Sequence, residues 1–587
     1  MRKVTRGGTA RGSPHRQRVD RLVHGKPRRR VKCCSDRALN ANSAIIEGSA
    51  FFRNASTVEG GADLTNASIR GNLEYDGARF FGQNGKPALL ANSAKIGGSV
   101  HLRNGFSADG PVNFTVAVIE GHFECDNGIF DSDGSAPALD LRGGTVNGSV
   151  NLRWNFRARG GVELQATKIG GYFECDGGGF ASAGGGVALN ANSATVSGNV
   201  ALRRGFKAEG GVVLTSAKVG GDVDCAAGIF NSETSAPALI ANAVKVGGSV
   251  KLRQGFRAAG RVDFANAKIG ADLDCDDGEF VHKSGEIALI ADSAEIGGSA
   301  LFRKTKVVGT VFLGFANIGA NLQWYGLVSP ERCIIDLYFT ETRILLNAEN
   351  SWPNPGNLNV DGFIYEEIDR EASLNADVQL RWLARQSAGR FASQPYEQLA
   401  KVFRKMGLED EARKVLIRKN KEHSRHVHGP GEWLWYAWIG KLVGYGYEPW
   451  RAFALSLVVL ATGWIAFRVG YDQKIVTPTE TAHFAMPTGT GEVRTADNRR
   501  SVPTDYPKFN AFAYSVETFV PFLRLEMATR WSPNPHLGSP LPVGLLAYVG
   551  FPRNWGSLLR YYLWFHIIAG WTLTSLWVGA VTGLVKT

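Results

Sequence analysis

The chain has 587 residues, 66 Lys+Arg against 54 Asp+Glu, and is 44% hydrophobic and 20% charged, which excludes an intrinsically disordered chain. Glycine, at 71 residues, is enriched but lacks the every-third spacing of collagen, and seven cysteines are too few for a disulfide scaffold. The net charge of +12 is local: residues 1–32 hold twelve Lys/Arg and a single acid, Asp20.

This basic stretch has no apolar run of the kind a secretory signal needs. As a block of like charge, 1–38 reads as a disordered tail. The alternative is an electrostatic arm for anionic lipid or nucleic acid. No other part of the chain is expected to contact nucleic acid.

From residue 39 a repeat takes over. The rows beginning at 41, 91, 141, 191, 241 and 291 align without insertion, as in ANSAKIGGSVHLR and ANAVKVGGSVKLR, so the period is 50. Each period holds two related halves, and the recurring apolar residue falls at 46, 69, 96, 119, 146, 169, 196, 219, 246, 269, 296 and 318. The units are short alternating segments bounded by Gly, Asn and Asp, a strand-and-turn pattern. A unit this short cannot bury its own apolar face, whereas stacked units can. Residues 39–328 are therefore expected to form a parallel β-solenoid of about twelve coils, a rod of roughly 55 Å. Triplets such as Ala67-Ser68-Ile69 resemble pentapeptide-repeat coils, although these coils exceed twenty residues.

Two ladders run along this rod. Cys125, Cys175, Cys225 and Cys275 recur every 50 residues, with Leu152, Leu202 and Leu252 aligned between them. Cysteines two coils apart sit about 9.6 Å apart, too far for a disulfide or a shared zinc ion, so they read as small buried side chains. Arg53, Arg103, Arg153, Arg203, Arg253 and Arg303 form the second ladder, with Asp76, Asp126, Asp176, Ala226 and Asp276 at the same position of the alternate coils. Alternating charge attracts between neighbouring strands, so the column is expected to fix coil register. Glu74, Glu124, Glu174, Asp224 and Asp274 lie beside it and read as a solvated face, with a divalent-cation strip as the alternative. No metal or cofactor site is expected.

Residues 329–375, with Pro353 and Pro355, are expected to be an irregular cap over the open solenoid end. Residues 376–428 read as a helical hairpin broken at Gly407. Its Lys/Arg-rich second half, with His423, His426 and His428, reads as a solvated basic face, not a metal site.

The membrane domain is expected over 429–587. Seven Trp/Tyr in 432–450 mark a membrane interface. Residues 452–467 carry no charge between Arg451 and Arg468, and 561–585 carry none with His566 neutral, so spans are expected near 451–471 and 561–585. The positive-inside rule places the basic 401–425 segment, the solenoid and both termini in the cytoplasm, where reduced cysteines belong. Between the spans, 509–522 is an apolar stretch too short to cross, suited to a re-entrant or interfacial segment, and 541–551 is a second short stretch.

A Gly-rich solenoid, the segment QPYEQLAKVFRKMGLEDEARKVL (394–416), GYGYEPWRA (444–452) and a second C-terminal span together resemble a group of bacterial membrane-associated solenoid proteins. These are labelled pentapeptide-repeat-like and sometimes oxidoreductase. The resemblance implies an inner-membrane protein and no settled activity. No nucleotide, metal or nucleophile motif supports the oxidoreductase label; Gly444-Tyr445-Gly446 lacks the third glycine of a dinucleotide loop. More weakly, the order of span, Tyr514-Ser515-Val516-Glu517-Thr518 and Gly-bearing span resembles the two-helix pore module of cation channels. Glu517, Arg524 and Glu526 are the candidate pore-loop residues, but 520–526 has no glycine and carries an Arg where a carbonyl-lined filter would stand.

The expected function is thus a non-catalytic, membrane-anchored scaffold that contacts lipid and binds an unidentified protein on its solenoid face. The alternatives are a subunit of an oligomeric pore with the solenoid as sensor, and, by label alone, an oxidoreductase.

Overall fold

Each solenoid coil is built from four short strands, as in Lys95–Ile96, Val100–His101, Ser107–Asp109 and Val112–Asn113. The computed structural model describes residues 30–32, 38–52, 56–82, 86–133, 136–232, 237–282, 286–387, 391–426, 429, 442–479, 506–541 and 554–582. The chain divides into two compact units, Met1–Val415 and Leu416–Thr587.

In the first unit, successive coils pair strand on strand in parallel register, Ile96 on Ile119, Ile119 on Val146 and Val146 on Ile169. The four-sided section follows from the spacing of inward residues. Ile96, Val100, Leu102, Phe106, Ala108, Val112 and Phe114 are all buried, and the residues between them face out or turn corners. Two corners per coil use a left-handed residue. At one of them Ser93, Val116 and Gly143 follow one another in register, with φ of 55°, 56° and 64° in turn.

The double period has a packing cause. Phe80, Phe106, Phe130, Phe156, Phe180, Phe206, Phe230, Phe256 and Phe280 form one stack with neighbouring ring centroids 5.1–5.7 Å apart. They alternate between two strand positions. Phe80 and Phe130 lie either side of Ala108, whereas Phe106 sits in register with Gly128. Each large ring therefore meets a small residue in the next coil, and one coil alone cannot repeat. The coils also alternate in length. Gly210 (φ +122°) makes the tight turn of a shorter coil, where any side chain would meet the carbonyl of Gly186.

A polar spine joins the coils on a second side. Asn72 Oδ1 accepts from the Ser99 amide (3.0 Å), Ser99 Oγ from His122 (3.0 Å), His122 Nδ1 from Ser149 (3.0 Å) and Ser149 Oγ from Tyr172 (3.1 Å). Tyr172 interrupts it. It resumes with Asn199 Oδ1 accepting from Asp222 (3.0 Å) and Asp222 Oδ1 from Ser249 (2.8 Å).

The rod has fourteen coils, two more than the Gly-rich periodicity indicates. The segment expected to be an irregular cap supplies both. Cys333–Asp336, Glu341–Asn347, Leu358–Asn359 and Ile364–Ile368 pair in parallel register with the coils before them. Bulky residues there obscure the Gly-Gly signature, but Ile335, Leu337, Leu345, Val360 and Ile368 still point inward. The open end is closed instead by helices α1 (Ala376–Leu383) and α2 (Gln394–Lys405). Gln394 accepts from the Gly362 amide (3.0 Å) and donates to the Phe363 carbonyl (3.1 Å), while Gln398 donates to the Tyr365 carbonyl. These groups would otherwise be an unpaired strand edge. Gly407 (φ +78°) ends the turn after α2, and α3 (Glu409–His426) follows.

In the second unit, α4 (Pro449–Asp472) and α7 (Trp555–Val581) are long and apolar enough to cross a membrane. Only 22% of the apolar window of each is buried, and Leu457, Val458, Ile465, Phe565, Ile568 and Trp571 are exposed. That is the reverse of a soluble core helix. Between them come α5 (Ala511–Phe519) and the single turn α6 (Met527–Arg530).

Candidate functional site

Two regions carry the side chains that the sequence singles out. On the rod, Arg103, Arg153 and Arg203 of the ladder each span three coils. Arg153 reaches Asp126 in the coil below (2.8 Å) and Glu174 in the coil above (2.6 Å). Arg103 does the same with Asp76 (3.2 Å) and Glu124 (2.6 Å), and Arg203 with Asp176 (3.2 Å) and Asp224 (2.9 Å). Arg303 contacts Asp276 (2.7 Å). Arg253, which has Ala226 below, keeps only Asp274 (2.8 Å), and its buried Nε has no partner among the described residues. Arg53 lies outside the described residues. The acids beside the column are thus neither a solvated face nor an open cation strip, because the arginines of the coil below neutralise Glu124, Glu174, Asp224 and Asp274. The Asp126 hydrogen bond, with further help from Glu174, raises the Arg153 guanidinium above its ordinary value despite partial burial.

Cys125, Cys175, Cys225 and Cys275 are buried free thiols aligned with Leu152, Leu202 and Leu252 in the intervening coils. Burial first, then the flanking carboxylates, pushes these thiols upward, which suppresses the thiolate that redox or metal chemistry requires. Among the described residues no group of three or more His, Cys, Asp or Glu is placed to hold a metal ion. His423 and His426 lie near the end of α3, and His428 is outside the described residues.

In the helical unit, 509–531 is a hairpin packed against α4 and α7. It starts where Phe509 stacks on Tyr471 (4.8 Å) near the end of α4. It descends until Ser515 Oγ donates to the Leu460 carbonyl (3.0 Å), and returns where Trp531 meets the edge of Tyr471 (5.5 Å). Tyr471 to Leu460 is eleven helical residues, a distance of about 16 Å along α4. Asn510 caps α5 by accepting from Phe512 and Ala513 (3.0 and 3.1 Å).

Glycines make room for this descent. A Cβ at Gly463 of α4 would meet the His566 ring and Ser515 Oγ, and a Cβ at Gly570 of α7 would overlap the Phe519 carbonyl. His566 is fully buried at this depth, its Nε2 3.1 Å from the Ser515 carbonyl and its Nδ1 without a partner among the described residues. Phe467, Phe519 and Tyr562 surround the ring.

The three pore-loop candidates separate. Glu517 accepts from the amides of Met527 (2.7 Å) and Ala528 (2.8 Å), so it ties the returning limb to α5. Glu526 (φ 60°) is exposed and pairs with Arg530 (2.6 Å). Arg524 is exposed at the hairpin tip, beside Phe522, which is 92% exposed. In the sequence, Ser515 and Gly570 stand out only as parts of the pore-module resemblance, His566 only as an uncharged residue of a span, and Gly463 not at all. An ionisable residue inside an apolar span was the available signal. The Phe stack does not stand out there either, although its steps of 26 and 24 were available to be counted.

Comparison of the chain with protein-family models, curated proteins and solved structures finds no match. What stands is the architecture: a parallel β-solenoid followed by two apolar helices with a hairpin packed between them.

Proposed function

We propose that this protein is a membrane-anchored β-solenoid whose rod binds a protein partner in the cytoplasm of a bacterium and whose α4 and α7 span the inner membrane. The observation that carries this reading is the joining of a rod of fourteen coils to helices whose apolar surfaces are left exposed. Solenoids present long ordered surfaces, and that use needs no catalytic constellation. A cysteine introduced at exposed Ser193 tests the orientation. It should react with a membrane-impermeant maleimide in inside-out vesicles and stay unmodified in intact spheroplasts. Labelling in spheroplasts sinks the cytoplasmic assignment, and extraction by alkaline carbonate sinks the anchor.

A second reading, an oligomeric ion-conducting pore with the rod as sensor, is favoured by one observation, the hairpin packed between the two helices. Two spans cannot enclose a pore alone, so this reading requires several copies of the chain. Ion flux through liposomes carrying the full-length protein should then change on Arg524→Gln, the exposed charge at the hairpin tip. Flux that is absent with folded, inserted protein removes this reading. The oxidoreductase label finds no residues here to carry it.

A further inference from the structure

The Arg column shows how this rod treats charge: each described Arg of the column pairs with at least one acid in an adjacent coil. One column breaks that rule. Lys218, Lys245 and Lys268 stand in direct register on three consecutive coils. All three are exposed. Their backbones are about 4.8 Å apart, so the ammonium groups lie well within a Debye length. Like charges directly opposite on neighbouring strands destabilise a sheet. Lys268 has one acid, Glu295 in the next coil (2.6 Å). Lys218 and Lys245 have no ion-pair partner among the described residues. Thr195 continues the column one coil earlier, and Lys168 one coil before that.

The column borders a shallow trench of about 740 Å³ that runs from Thr195 to Asn317 across six coils. Its length is roughly 24 Å. The floor is Gly220, Gly247, Gly270 and Gly297, each facing out where a side chain would overlap the carbonyl of the previous coil. Close coil packing thus keeps side chains off these four floor positions; Ser197 takes the equivalent place in the Thr195 coil, and Glu295 follows Lys268 in the column at the far end of the trench. On the far side of the floor lie Asp222 and Asp272 of the polar spine.

We infer that this trench binds an extended acidic peptide of a partner protein, its carboxylates pairing with Lys218 and Lys245 and extending toward Lys168 and Lys268. The charge favours an anion. The acids beside the floor favour a peptide, since a duplex or a flat anionic membrane laid on these lysines would also cover Asp222 and Asp272. A length of 24 Å takes about eight extended residues. This inference rests on the reading of the rod as a partner-binding surface and names the class of partner.

The test uses full-length protein in detergent and a fluorescent octaglutamate peptide, with zero-length carbodiimide coupling and mass-spectrometric mapping to separate the trench from the basic residues 1–32. Amide cross-links are expected at Lys218, Lys245 or their column neighbours. Lys218→Glu/Lys245→Glu should weaken binding about tenfold or more, with a steep salt dependence. Lys95→Glu, on the same column but outside the trench, should leave affinity within about twofold. Cross-links confined to 1–32, affinity unchanged in the double variant, or no binding overturn the proposal. Preferential binding of an octanucleotide of equal charge, lost in the double variant, assigns the trench to nucleic acid and overturns it as well. Flotation of the same preparations with liposomes reports the membrane anchor separately, so failure of the anchor and failure of the trench are read independently.

Discussion

In the rod, Arg153 finds both of its partners in the coils immediately below and above. In the helical unit, Ser515 finds Leu460 55 positions away and His566 51 positions away, with no repeat relating them. The rod is a sum of nearest-neighbour interfaces, so damage in one coil is felt by the next and fades beyond it. The hairpin is held by two helices at once, so one displaced contact moves the whole assembly. Small residues serve each differently. Gly128 sits in register with Phe106 and Phe156 and leaves space for the Phe stack. Gly463 and Gly570 let a backbone pass between helices.

The sharpest way to break this comparison is Gly570→Leu. The new side chain would occupy the position of the Phe519 carbonyl, and α5 must leave its place. Loss of monodisperse protein on size exclusion is expected, while the β-type circular dichroism of the rod persists. Normal elution behaviour would show that the hairpin is not wedged between the two helices. Next is Phe180→Ala, which removes one ring from the middle of the stack. A loss of about 3–5 kcal/mol is expected for a fully enclosed Phe. Hydrogen exchange should quicken in the coils that hold Phe156 and Phe206 and leave the coil of Phe80 unchanged. Uniform loss of protection along the rod would refute nearest-neighbour behaviour.

Arg153→Ala should cost about 1 kcal/mol, because the group is partly exposed and screened. A double-mutant cycle with Glu174→Gln should return a coupling of similar size, whereas the cycle with Glu124→Gln should be near zero. Equal couplings would mean that the column acts as a diffuse field instead of through contacts. The smallest effect concerns pH. The Lys306 hydrogen bond holds the Glu279 carboxyl below its ordinary value, with Arg257 adding to it against partial burial. A carboxyl depressed in the folded state stabilises the rod above its unfolded value and loses that contribution as pH falls through the folded one. Glu279→Gln should therefore lower the rod melting temperature slightly at neutral pH and not at pH near 3, and a difference that persists in acid would mean that another contact is responsible.

Much of the rod was legible because its coils are related by translation. Residues 50 apart occupy equivalent places, so the Arg column, its gap at Ala226 and the Cys–Leu alternation follow from counting alone. Period and amphipathic alternation likewise determine that a parallel solenoid forms, and uncharged length determines which helices are apolar enough to cross a membrane. Only the tertiary structure decided that 333–368 continues the rod, because pairing there depends on buried side chains and not on the glycine signature. It also decided that Gln394 and Gln398 close the end, that Glu517 ties the two limbs of the hairpin, that arginines neutralise the acids beside their column and that three lysines share one trench. Such contacts depend on which backbone groups are left without partners and which side chains end up side by side. Those are properties of the assembled chain, and no local pattern encodes them.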